Sequence, residues 1–105
     1  PYLREAYFDL AQLYLERKEY NNTIKYLEKA LTIKEKSITY ITNELAWNEN
    51  IYDMLSIAYY YIEDYEKSFN YSKIAYDINP NDPRIKENYF IIKEKYENEK
   101  EEIIS

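Results

Sequence analysis

Apolar residues recur along the chain at helical spacing, in five stretches separated by polar breaks. Tyr7, Leu10, Ala11 and Tyr14 fall at i, i+3, i+4 and i+7, one face of a helix. Ile24, Leu27, Ala30, Leu31 and Ile33 continue that period after a break. Tyr52, Leu55, Ser56 and Tyr59 repeat the first pattern, and Phe69, Ser72, Ala75, Tyr76 and Ile78 roughly repeat the second. Ile85, Tyr89, Ile92 and Tyr96 form a last stripe. The spacing predicts five helices, over about 2–17, 21–36, 49–62, 66–78 and 83–99. Asn21 or Asn22 is placed to cap the second helix, and Pro80 to stop the fourth. Asn81 or Asp82 is placed to cap the fifth, with Pro83 in its first turn, where a missing N–H costs nothing. Residues 37–48 lack the period and read as an extended connection, with an extra helical turn around 44–47. The tail over 101–105 is expected to fray.

Composition supports helices. The chain has 105 residues and contains no glycine, whereas tight β-hairpin turns lean on residues with positive φ. It also lacks cysteine and histidine. That removes disulfides, thiolate or imidazole metal sites, and Cys- or His-based catalysis. Without glycine there is no phosphate-cradling loop. The net charge of −6 disfavours nucleic acid and anionic membranes as partners. No apolar run approaches the ~20 residues that span a bilayer. The chain starts at Pro1 and reads as a piece of a longer protein, placed in the cytoplasm.

Shifting the chain by 45 residues superposes Tyr7 on Tyr52, Leu10 on Leu55, Tyr14 on Tyr59, Tyr20 on Tyr65, Tyr26 on Tyr71, Ala30 on Ala75 and Ile33 on Ile78. The matches cover both helices of a pair and the turn between them, so the unit is a helix–turn–helix of about 34 residues plus an inserted connection. Ala11, Ser56, Ala30 and Ala75 are small where helices cross closely, and Leu10, Tyr14, Leu55 and Tyr59 fill the wedges between.

With these residues the chain resembles the tetratricopeptide repeat family. That resemblance implies an all-α domain: repeat one at about 4–36, the inserted connection at about 37–48, repeat two at about 49–82 and a capping helix at about 83–99, in a right-handed superhelix. Thr23 and Ser68 stand where the family usually has alanine, and the usual turn glycine is replaced near Lys18 and Glu63. Residues 36–88 look more narrowly like the repeat region that follows the catalytic domain in certain bacterial family 2 glycosyltransferases. Tyr40, Ala46–Trp47, Tyr52–Asp53–Met54–Leu55, Ala58–Tyr59–Tyr60 and the segment from Asn79 to Arg84 carry that likeness. No glycosyltransferase catalytic motif lies in these residues.

The resemblance implies a non-catalytic interaction or scaffold module without cofactor or metal. Its partner is a protein or peptide, or a neighbouring domain of a glycosyltransferase-like parent. A stand-alone adaptor for a basic or amphipathic peptide, and a homodimerisation unit, are the alternatives. Such arrays bind on the face lined by the first helix of each pair. By helical phase that face carries Phe8, Asp9, Gln12 and Glu16 in repeat one, and Asp53, Met54, Ile57, Tyr60 and Tyr61 in repeat two. The groove is therefore expected to be apolar and aromatic, with an acidic character from Asp9, Glu16 and Asp53. The competing reading is that the last helix or a neighbouring domain fills it. The family's peptide mode, which clamps a C-terminal carboxylate with Lys and Asn, is not expected. Asp9 and Asp53 would repel such a group by about 1–4 kcal/mol for a close pair. Tyr40 and Trp47 in the connection either pin that segment to the helices or offer a platform for sugar stacking. Glu63–Asp64 and the glutamates after Tyr96 lack the cleft that a catalytic carboxylate pair requires.

Overall fold

The computed structural model describes residues 3–33 and 49–104. Among them the chain forms five helices and no strand: α1 (Leu3–Glu16), α2 (Tyr20–Leu31), α3 (Glu49–Tyr61), α4 (Tyr65–Ile78) and α5 (Pro83–Ile104). The protein is all-α. α1 packs on α2 and α3 on α4; α2 joins the two hairpins through α3, and α5 packs on α4.

Each hairpin turns without glycine. Lys18 and Glu63 adopt φ of 61° and 65°, the left-handed region. In the first turn the Lys18 N–H donates to the Leu15 carbonyl (3.0 Å), and the Glu19 N–H donates to the Tyr14 carbonyl (2.9 Å). In the second, Glu63 N–H donates to Tyr60 (3.1 Å) and Asp64 N–H to Tyr59 (3.0 Å). This is the Schellman closure, which satisfies the last carbonyls of a helix. It recurs at the same 45-residue offset. The chain then enters the next helix with no spare residue. Asp64 becomes the N-cap of α4 and accepts from the Lys67 N–H at 3.2 Å.

Three expectations about helix ends are corrected. α2 starts at Tyr20 with Glu19 at the cap position and no side-chain cap bond, so neither Asn21 nor Asn22 caps it. The closure of α1 hands the chain over before the asparagines are reached, and Asn22 instead donates to the Glu19 carboxylate at 3.3 Å. α2 ends at Leu31 rather than near 36. The Thr32 and Ile33 N–H groups turn to carbonyls three residues back, both at 3.1 Å. α5 continues to Ile104 instead of fraying after 100. Its Glu- and Lys-rich last turns have high helix propensity. At its start, Asp82 rather than Asn81 provides the cap, accepting from the Arg84 and Ile85 N–H groups at 2.9 and 3.3 Å.

The core runs through Phe8, Ala11, Ile24, Leu27 and Ala30 of the first hairpin into Ile51, Met54, Leu55, Ala58 and Tyr59 of the second. Ala11, Ala30, Ser56 and Ala75 are fully buried, as close helix crossings require. Thr23 and Ser68 are buried too, and each hydroxyl is satisfied by a carbonyl: Thr23 donates to Glu19 (3.0 Å) and Ser68 donates across the α3–α4 crossing to Ser56 (2.7 Å). Leu10 and Tyr14 are only half-buried, whereas Leu55 and Tyr59 are buried. The second hairpin is flanked by α2 on one side and α5 on the other.

Much of the tyrosine content goes into stacked pairs. Tyr26 lies on Tyr14 (5.6 Å between centroids, 5° between planes), and Tyr71 lies on Tyr59 (5.8 Å, 8°). Tyr7 and Tyr52 complete the two groups, at 6.0 Å from Tyr26 and 6.4 Å from Tyr71. The second group is fastened to α2: the Glu28 carboxylate accepts from the Tyr59 hydroxyl at 2.6 Å and from Tyr71 at 3.4 Å. Burial first, then the Glu28 contact, pushes both phenols above their ordinary value. On α5, Ile85 and Ile92 are buried, while Tyr89 and Tyr96 stack on Tyr76 (4.6 Å) and Phe69 (5.2 Å) of α4.

Candidate partner-binding groove

α1, α3 and α5 border two clefts that share Ile57. The first, about 270 Å³, has Phe8, Gln12, Leu15 and Glu16 of α1 on one side and Asn50, Asp53, Met54 and Ile57 of α3 on the other, with Arg84 of α5 at its edge. The second, about 280 Å³, lies between Ile57, Tyr60 and Tyr61 of α3 and Asn88, Ile91 and Ile92 of α5. α5 thus lines the groove's border, and both clefts remain beside it.

The structure places the expected groove residues unequally. Phe8 and Met54 are buried and form a floor, because both belong to the core that joins the hairpins. Gln12 and Glu16 are exposed on the wall, and Ile57 and Tyr60 are half-buried. Tyr61 is 59% exposed. It stacks on Tyr20 of α2 (4.8 Å, 15°) and stands edge-on to Tyr60 (5.8 Å, 89°). Tyr60 in turn meets Tyr65 edge-on at 5.5 Å, so a chain of ring contacts holds the aromatic corner of the second cleft. Asp9 is exposed and lines neither cleft. Tyr40 and Trp47 lie outside the described residues.

Asp53 is the main correction. Expected as an open acidic group, it is 2% exposed and ion-paired with Arg84. Its other oxygen accepts from the Asn88 amide at 3.3 Å, and Arg84 also donates to Asn50 at 3.2 Å. A buried carboxylate needs such partners, because desolvating a lone charge is costly. α5 supplies two of them from its first turns. The acidity of the first cleft therefore rests on Glu16, and a half-exposed guanidinium shares its rim. Helical phase applied to α1 and α3 alone misses Arg84, Asn88 and Ile91. The signal was present: these residues flank the Ile85–Ile92 stripe at i, i+4 and i+7 and so share one edge of α5.

Among the described residues, no group of three or more His, Cys, Asp or Glu is placed to hold a metal ion. No described helix is long and apolar enough to cross a membrane. Compared with models of known protein families and with curated proteins, the chain matches none.

Proposed function

We propose that this chain is a non-catalytic interaction module of the tetratricopeptide type, whose α1–α3–α5 groove receives a segment of a partner protein or of a neighbouring domain. The observation that carries the reading is the pair of clefts joined at Ile57, with an apolar floor of Phe8 and Met54 and an aromatic corner of Tyr60 and Tyr61. A concave apolar surface with a few polar groups at its rim is the usual form of a peptide site. The Schellman turns and tyrosine pairs that recur at a 45-residue offset support the repeat reading. The likeness of residues 36–88 to glycosyltransferase-associated repeats supports a parent enzyme of that kind, with the chemistry in another domain. A cytoplasmic location, with no cofactor, membrane or nucleic acid, goes with this reading.

Glu16 on the wall and a net charge of −6 favour a basic amphipathic peptide. The test is an NMR titration of the labelled chain with such a peptide. Shifts should gather at Gln12, Ile57, Tyr60 and Asn88, and Ile57→Asp should abolish them. Unchanged spectra at millimolar peptide would defeat the proposal. A second reading, homodimerisation, is favoured by Ile74, Ile78 and Phe90 on α4 and α5, which are 40%, 50% and 47% exposed. Concentration-dependent light scattering, lost in Ile78→Lys, would support it. A monomer at all concentrations would remove it.

A further inference from the structure

The tyrosine pair of the second hairpin has a hydrogen-bond acceptor, and among the described residues its counterpart in the first hairpin has none. Tyr59 and Tyr71 stack and both donate to Glu28, which reaches them from the stripe of α2 that also carries Ile24, Leu27 and Leu31. Tyr14 and Tyr26 stack with nearly the same spacing and tilt, yet among the described residues neither hydroxyl has a hydrogen-bond partner. The second pair has one ammonium group beside it, that of Lys67 at 5.5 Å from the Tyr59 ring centre, and the Glu28 carboxylate offsets it; the first pair has two and no carboxylate bonded to its hydroxyls among the described residues. Lys25 and Lys29 hold their ammonium groups 5.4 Å from the Tyr26 ring centre, and Lys29 lies 5.9 Å from that of Tyr7. At the equivalent positions of the second hairpin stand Asn70 and Ile74. A cationic, phenol-bearing face on an acidic protein is complementary to a carboxylate.

We propose that this end face of the first hairpin, built by Tyr7, Tyr14, Tyr26, Lys25 and Lys29, docks an amphipathic helix of a partner protein that carries a glutamate within its apolar stripe. The chain's own α2 defines the form: Ile24, Leu27, Glu28 and Leu31 stand at i, i+3, i+4 and i+7. A glutamate in that register would accept from Tyr14 and Tyr26 and meet Lys25 and Lys29, a charge-assisted arrangement stronger than a neutral one. A second copy of this chain does not supply such a helix. Its α2 is already engaged with its own second hairpin, and α4 has Lys73 where α2 has Glu28. This surface is distinct from the groove and does not depend on that reading.

The probe is a lactam-stabilised helical peptide with the sequence of residues 20–33, titrated into the labelled full chain. Chemical shifts should move at Tyr7, Tyr14, Tyr26 and Lys29. Glu28→Gln in the peptide should weaken binding at least fivefold, and Tyr14→Phe in the chain, which keeps the ring stack, should do the same. Ile57→Asp, in the groove, should leave the affinity unchanged. No binding at millimolar peptide would overturn the proposal, as would indifference to the Glu28→Gln exchange. Shifts confined to α3 and α4 would mean that the peptide merely replaces α2, and would also overturn it. So would self-association that Tyr14→Phe dissolves, since the face would then belong to a second copy.

Discussion

Replacing Lys18 and Glu63 by glycine should stabilise the protein. Both residues sit in the left-handed region at the closure of a Schellman turn. There a side chain's Cβ crowds the backbone by about 1–2 kcal/mol. Glycine removes that cost, but its greater freedom in the unfolded chain takes back about 0.4–1 kcal/mol. The balance is about 0.5–1 kcal/mol per site. Both side chains are exposed, so no buried packing is lost. The turns belong to different hairpins, so the gains should add to about 1–2 kcal/mol. For a chain of this size that corresponds to a rise in Tm of roughly 4–12 °C. The double variant loses one cation and one anion and keeps the net charge, which removes long-range electrostatics as an explanation. Thermal and urea unfolding followed by circular dichroism measure the effect. Lys18→Ala and Glu63→Ala, which retain Cβ, are the controls and should show no gain. A glycine variant less stable than the parent, or alanine variants that gain as much, would refute the strain argument.

Glu28→Ala should cost about 1–2 kcal/mol in urea unfolding, because the part-buried Tyr59 hydroxyl loses its carboxyl acceptor. Tyr59 and Tyr71 titrate above the ordinary phenol value of 10.0, so their contribution is complete below that pH and is lost as the pH climbs through the higher folded values. Urea midpoints should accordingly fall as the pH rises above about 10, with a shallower fall in Tyr59→Phe. Arg84→Met strands the Asp53 carboxylate with Asn88 and should cost about 1–3 kcal/mol, less than a fully buried pair because Arg84 is half solvated. Asp53→Asn in the same background should recover most of that loss, as a double-mutant cycle would show.

The helical stripes were legible because burial on one side imposes a 3.6-residue period, and Ile85 and Ile92 on α5 follow it closely. Helix ends were less so. Whether Asn21 or Glu19 begins α2 depends on how α1 closes, and a non-glycine residue in the left-handed region announces nothing in the sequence. For the groove, phase placed Gln12, Glu16, Ile57, Tyr60 and Tyr61 toward the clefts, but it could not distinguish floor from wall. Phe8 and Asp53 are buried by neighbours that arrive from α3 and α5, and no single helix carries that information. Glu28 was readable in principle, as an acidic residue inside the apolar stripe of α2. Its meaning came only with Tyr59 and Tyr71, which lie 31 and 43 residues away.

The order of packing also shapes how the chain acquires its structure. Each helix rests chiefly on the helix before or after it, α1 on α2, α2 on α3, α3 on α4 and α4 on α5. Most of the search is therefore over short loops, whose closure entropy is small, and rapid folding is the consequence. The Glu28 clasp and the Arg84–Asp53 pair each join residues 31 apart in the sequence, so they are longer-range than the contacts within a hairpin. Removing those contacts should mainly quicken unfolding and leave the folding rate nearly untouched.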